Sequence, residues 1–69
     1  MLVNFNDVLY LKIMVANRYM KKHDMLPDEF LEFAEKKDLF GYLDLAYESL
    51  HLTGPEGIMD EVERFVSTV

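Results

Sequence analysis

Hydrophobic and polar positions along the chain alternate with a helical period in four successive segments. From about Asn6 to Lys22 neither Gly nor Pro intervenes, and Phe5, Val8, Leu9, Ile13, Ala16 and Met20 fall on one stripe. Leu11, Met14 and Val15 make a second stripe beside it, so this helix is expected to be central, contacted on more than one side. The run "VLYLKIMV" could also be a strand, but "ANRYMKKH" continues the helix without a turn residue. Arg18, Lys21 and Lys22 fall in the last turn, where the helix dipole favours cations.

The second start is "MLPDEF": Pro27 suits the first helical position, and Asp28 and Glu29 suit the first turn. Leu26 then occupies the N-cap, where it has no acceptor to offer, while Met25 and Phe30 have the spacing of a hydrophobic staple. This helix runs to about Lys37 and is expected to bury Phe30, Leu31, Phe33 and Ala34. Asp38 is placed to cap a third helix, "LFGYLDLAYESLH", with Leu39, Leu43, Ala46, Tyr47 and Leu50 facing inward and Gly41 weakening its first turns. In "LTGPEG", Thr53 and Glu56 have capping-box spacing. The fourth helix, about Pro55 to Ser67, should bury Ile58, Met59, Val62, Phe65 and Val66 and expose Asp60, Glu61, Glu63 and Arg64, with Asp60 and Arg64 as an i,i+4 pair. The pattern therefore implies an all-α fold, a compact single domain of about four short helices over residues 1–69.

Length tempers that picture. A chain of 69 residues buries only about 60% of the surface it exposes when unfolded, so a partner or a second copy could add what its core lacks. The apolar fraction of 51% argues against disorder. Without cysteine, disulfides, thiolate metal sites and cysteine nucleophiles are excluded. The N-terminal apolar run is preceded by Asp7, broken by Lys12 and too short to span a bilayer, so a soluble, cytoplasmic protein with no membrane association is expected.

The net charge of -6 is uneven. Residues 1–23 set Asp7 against Lys12, Arg18, Lys21 and Lys22, a balance of +3, whereas residues 24–69 set twelve acids against Lys36, Lys37 and Arg64, a balance of -9. Such a surface repels phosphate backbones, which argues against nucleic-acid binding. It would keep a small domain in solution or present an acidic face to a basic partner.

Candidate chemistry is confined to "YESLHLTGPEG". Glu48 and His51, three apart on one helical face, have the spacing of a ligand pair in carboxylate-bridged di-iron bundles, but those need two copies and further inward carboxylates. His51 also lies where a donor can satisfy the last carbonyls of a helix and Gly54 can end it with positive φ; that reading is the stronger, and His23 plays a similar part after the first helix. Ser49 and Ser67 have no base at a telling spacing, and Gly41, Gly54 and Gly57 form no phosphate-cradling loop with a Lys. The expectation is a protein that is not an enzyme and takes no cofactor, with the tyrosines and methionines free either to fill the core or to line one exposed apolar patch.

The order of these motifs, ending in "LFGYLDLAYESLHLTGPEGIMDEVERFV", resembles the small bacterial domain-of-unknown-function family numbered thirty-seven ninety-one, over residues 5 to 66. Its Tyr-x-x-Leu-His-x-x-Gly centre is matched by Tyr47, Leu50, His51 and Gly54; Leu26 departs from it where the family usually has a good N-cap. The resemblance implies an association with toxin–antitoxin pairs, since members are in many cases encoded beside a small protein that looks like an ADP-ribosyltransferase relative. On that footing the chain would be the antitoxin-like or regulatory partner. Its interaction residues would lie at Tyr47, Leu50, His51 and Gly54 and on the last helix, where Glu56, Asp60, Glu61 and Glu63 would enter a basic site. Packing and capping explain Tyr47, Leu50 and Gly54 equally well. Self-association as a homo-oligomer, or a metal-binding bundle through Glu48 and His51, are the other readings.

Overall fold

Pro27 and Pro55 set two helix starts, because proline's fixed φ suits the first helical residue and its missing N–H is one that the helix leaves unbonded anyway. In the computed structural model, which describes residues 5–68, the helices are α1 (Phe5–His23), α2 (Pro27–Lys37), α3 (Leu39–Leu50) and α4 (Pro55–Thr68). No strand occurs among the described residues. α1 and α3 each pack against all three other helices. The Cα radius of gyration, 11.5 Å, is close to the roughly 11 Å expected of a compact chain of this length.

The joints between helices are short, and two of them turn on aspartates in the left-handed region. Asp24 has φ 52°, and the N–H of Met25 behind it reaches back to the carbonyl of Met20 at 2.9 Å, the 6→1 bond of a Schellman ending. Met20 and Met25 are both partly buried against the core, which supplies the apolar contact that usually accompanies such an ending. Asp38, with φ 53° and ψ 41°, is the only residue between α2 and α3, and its N–H closes α2 on the carbonyls of Ala34 and Glu35.

This overturns the reading of Asp38 as a side-chain cap: its backbone turns the corner, and its carboxylate makes no cap hydrogen bond to α3. At the start of α2 the N–H of Leu26 is satisfied by the Glu29 carboxylate at 2.8 Å, so the third helical residue supplies the half of a capping box that leucine cannot. Thr53 is not the N-cap of α4 either, since the first helical bond runs from Ile58 N–H to the carbonyl of Gly54. Gly54 does not have positive φ. At Gly57 a β-carbon would meet the methyl group of the exposed Thr53 side chain, which would have to turn aside.

The core draws on every helix: Leu11, Val15 and Tyr19 from α1, Phe30 and Ala34 from α2, Leu39, Leu43, Tyr47 and Leu50 from α3, and Ile58, Met59, Val62 and Val66 from α4. The inward faces of α3 and α4 agree with the sequence pattern, although Ala46 and Phe65 are only partly buried. α1 does not agree. The stripe through Leu11 and Val15 is the buried one, whereas Leu9 is 43% and Ile13 50% exposed. Leu31, expected inside, is 55% exposed. The side chain of Phe5 lies outside the described residues.

Aromatic rings bind these layers. Tyr19 stacks on Phe33 of α2 at 5.2 Å and meets Phe30 at 5.8 Å; Phe30 meets Phe40 of α3 edge-on at 6.1 Å. Tyr42 of α3 stacks on Phe65 of α4 at 4.1 Å. Such pairs add about 0.5–1.5 kcal/mol each beyond the area they bury.

Leu43 is fully buried, so Leu43→Ala should lose about 2–5 kcal/mol, much of the roughly 3–10 kcal/mol expected for a chain of this size, and urea unfolding should show it. Asp24→Gly should act the other way. It relieves a left-handed non-glycine residue and should raise the urea midpoint by the equivalent of up to about 1 kcal/mol.

Candidate interaction surface

The motif residues of the α3–α4 joint divide into structural and exposed ones. Tyr47 and Leu50 are buried in the core, which accounts for both by packing. His51 ends α3: its N–H donates to the Tyr47 carbonyl at 2.8 Å, and its ring Nδ1 lies 3.1 Å from the same oxygen. Because a carbonyl only accepts, Nδ1 must carry the proton in that bond, so that in the neutral imidazole Nε2 is the acceptor. The imidazole lies over the Tyr47 ring at 5.1 Å and 9°. Thr53 N–H takes the Leu50 carbonyl at 2.9 Å, so the last turn of α3 is well satisfied. Glu48 is exposed on α3, and among the described residues no three His, Asp or Glu side chains converge as a metal would require.

The acids of α4 are less free than the sequence pattern suggested. Glu63 is partly buried, its carboxylate 3.1 Å from Lys22 Nζ and 2.8 Å from His23 Nε2. His23 therefore pins the end of α1 to α4 while its ring stacks on Tyr19 at 4.2 Å, a different task from satisfying helix carbonyls. Arg64 pairs with Glu61 at 3.1 Å in place of Asp60. Glu56 and Asp60 remain exposed, and they line a groove of about 630 Å³ opposite Arg18, Lys21 and Lys22 of their own chain.

These placements shift three ionisations. Burial alone would raise the Glu63 carboxyl, but hydrogen bonds from His23 and Lys22, and then their charges, outweigh it and hold it below the ordinary carboxylate range. Burial and, second, the Glu63 charge push the Tyr19 hydroxyl up. Tyr42 is raised by burial and then by Glu61, with Arg64 opposing.

Two surface depressions flank the outer side of α1. One is an almost wholly apolar groove of about 350 Å³ formed by Leu9, Ile13, Ala16 and Phe40, with Lys12 at its edge neutralised by Asp44 at 2.8 Å. The other is a cleft of about 230 Å³ where Asp7, Tyr10 and Met14 of α1 face Tyr47 and His51, with buried Leu11 and Ile58 beneath. The sequence allowed one exposed apolar patch with tyrosines and methionines at a partner groove; Tyr10, Met14 and Tyr47 do meet at the cleft, whereas the place of the apolar groove was not foreseen. The signal for the groove was present in the two competing apolar stripes of α1, since a helix with both cannot bury both. Leu52, at 82% exposure, adds an apolar side chain beside His51.

A family model described as "Protein of unknown function (DUF3791)" matches residues 11–68. The chain belongs to the DUF3791 family. The match takes in Tyr47, Leu50, His51 and Gly54 and every described residue from the second half of α1 onward, while Asp7, Leu9 and Tyr10 lie outside it. No curated protein and no solved structure matches the chain. Among the described residues no helix is long and apolar enough to cross a membrane.

Because the Glu63 carboxyl is held low when folded, its pairing contributes stability that is complete above the unfolded carboxylate range near pH 4.3 and is lost as pH falls through the folded value. Glu63→Gln should therefore cost about 0.5–1 kcal/mol at pH 7, with the difference from the parent shrinking below about pH 4 in urea titrations.

Proposed function

We propose that this DUF3791 chain is a non-catalytic protein-interaction module, the antitoxin-like or regulatory partner of a basic, ADP-ribosyltransferase-like protein encoded beside it. The observation that carries the reading is the groove of Leu9, Ile13, Ala16 and Phe40. A chain with 29% charged residues leaves this strip almost free of charge, with its one lysine already paired. An uncharged strip bordered by polar residues has the character of a docking surface.

Acidic charge has a second part in this reading. Glu61 and Glu63 hold ion pairs within the chain, and Glu56 and Asp60 face Arg18, Lys21 and Lys22 across a groove, so the steering charge is the net acidity of residues 24–69 as a whole. The partner would thus be steered by charge and held by apolar contact.

Self-association is a second reading, favoured by the same groove, because residues 24–69 carry the strongly acidic balance and α1 is where two copies would repel each other least. Sedimentation equilibrium between about 10 and 500 μM distinguishes them: a melting temperature and a mass that both rise with concentration would favour the dimer.

For the first reading, an excess of the chain should suppress transfer by the neighbouring gene's product, and Ile13→Asp, at a half-exposed site that the fold does not need, should relieve suppression at least ten-fold. Unchanged activity of the neighbour under excess parent protein would overturn it.

A further inference from the structure

We infer that the cleft between α1 and the end of α3 receives an arginine side chain of a protein partner. This deepens the reading of the chain as an interaction module and rests on it. The cleft, about 230 Å³, is smaller than the roughly 300 Å³ at which pockets for small-molecule ligands begin, so it suits a single large side chain better than a cofactor.

Its lining selects the kind of side chain. Tyr10, 74% exposed, brings an aromatic ring to the cleft and Met14 a polarisable thioether, while the exposed His51 ring lies flat over the buried Tyr47. These are surfaces against which a flat, weakly hydrated cation packs well. Beside the tyrosine hydroxyls, which donate or accept, the cleft has two further polar groups that accept. Asp7 carries a negative charge with no hydrogen-bond or ion-pair partner among the described residues. His51 is exposed, and with Nδ1 committed to the Tyr47 carbonyl its neutral ring has Nε2 as acceptor.

A guanidinium satisfies both kinds of demand at once, with planar faces for the rings and several N–H donors for the carboxylate and the imidazole nitrogen. A carboxylate or phosphate would meet Asp7 with like charge, and an uncharged aromatic group would leave Asp7 unpaired. Lysine has the charge but not the plane. The position of Asp7 in the first turn of α1 also suits the helix dipole, yet that role asks nothing of Tyr10, which stands 74% exposed at the same cleft.

The test uses the full chain and the capped tripeptide acetyl-Gly-Arg-Gly-amide, with the lysine and citrulline versions as comparisons, followed by NMR of the Tyr10, Tyr47 and His51 ring signals. The arginine peptide should give saturable shifts at those rings with a Kd in the low millimolar range, about what a ligand of that size can reach. The lysine peptide should bind several-fold more weakly and the citrulline peptide should not saturate. Asp7→Asn and Tyr10→Leu, both at exposed sites, should each weaken the arginine peptide roughly three-fold or more with helical content unchanged. Equal binding of citrulline or lysine, no saturable shift, or variants that bind like the parent would overturn the assignment. Because no natural partner is present, the result is independent of whether the neighbouring protein is inhibited.

Discussion

Tyr19 is the residue on which the arrangement of the four helices turns. Its ring is buried near the end of α1, where it stacks on Phe33, touches Phe30 and supports the imidazole of His23. Through His23 the same end of α1 reaches Glu63 on α4. One side chain thus carries α1 onto α2 directly and onto α4 through one further contact, while Phe30 passes the packing on to Phe40 of α3. In so small a chain, where no helix is independently stable, this shared junction keeps α2 and α4 from settling separately against α1.

Once that junction fixes α1, the rest of its circumference is constrained. Leu11, Val15 and Tyr19 take the inward face, and Leu9, Ile13 and Tyr10 are left outside by geometry. The apolar groove and the Asp7 cleft are therefore products of one decision about how α1 is rotated. They lie on opposite flanks of a single exposed face, so one partner covering that face would meet an uncharged strip and a cation-accepting cleft side by side.

Much of the fold was legible because punctuation and periodicity agreed. Pro27 and Pro55 marked two starts, the stripe Leu39, Leu43, Tyr47 and Leu50 described α3, and Ile58, Met59, Val62 and Val66 described α4. The central place of α1 was legible, but not the exposure of Leu9 and Ile13, because a helical period cannot say how far each of two stripes will be covered. The corner at Asp38 was hidden because nothing but tertiary packing obliges an aspartate to adopt a left-handed conformation where glycine or asparagine would announce it. Pairing on α4 was hidden for a related reason: Arg64 can reach Glu61 or Asp60 equally well along the helix, and only the fold decided the matter. At the candidate site, the helix-ending role of His51 was readable, but its place in a cleft with Asp7 and Tyr10 joins residues some forty apart.

The single-residue corner at Asp38 has a mechanical meaning. With only one pair of backbone dihedrals between them, α2 and α3 form a stiff elbow, and Phe40 sits two residues past its vertex with Phe30 set edge-on against it. The ring that forms one wall of the apolar groove is thus braced by both arms before anything approaches. A visitor to the groove finds its surface already shaped, and little motional freedom is surrendered when the two come together.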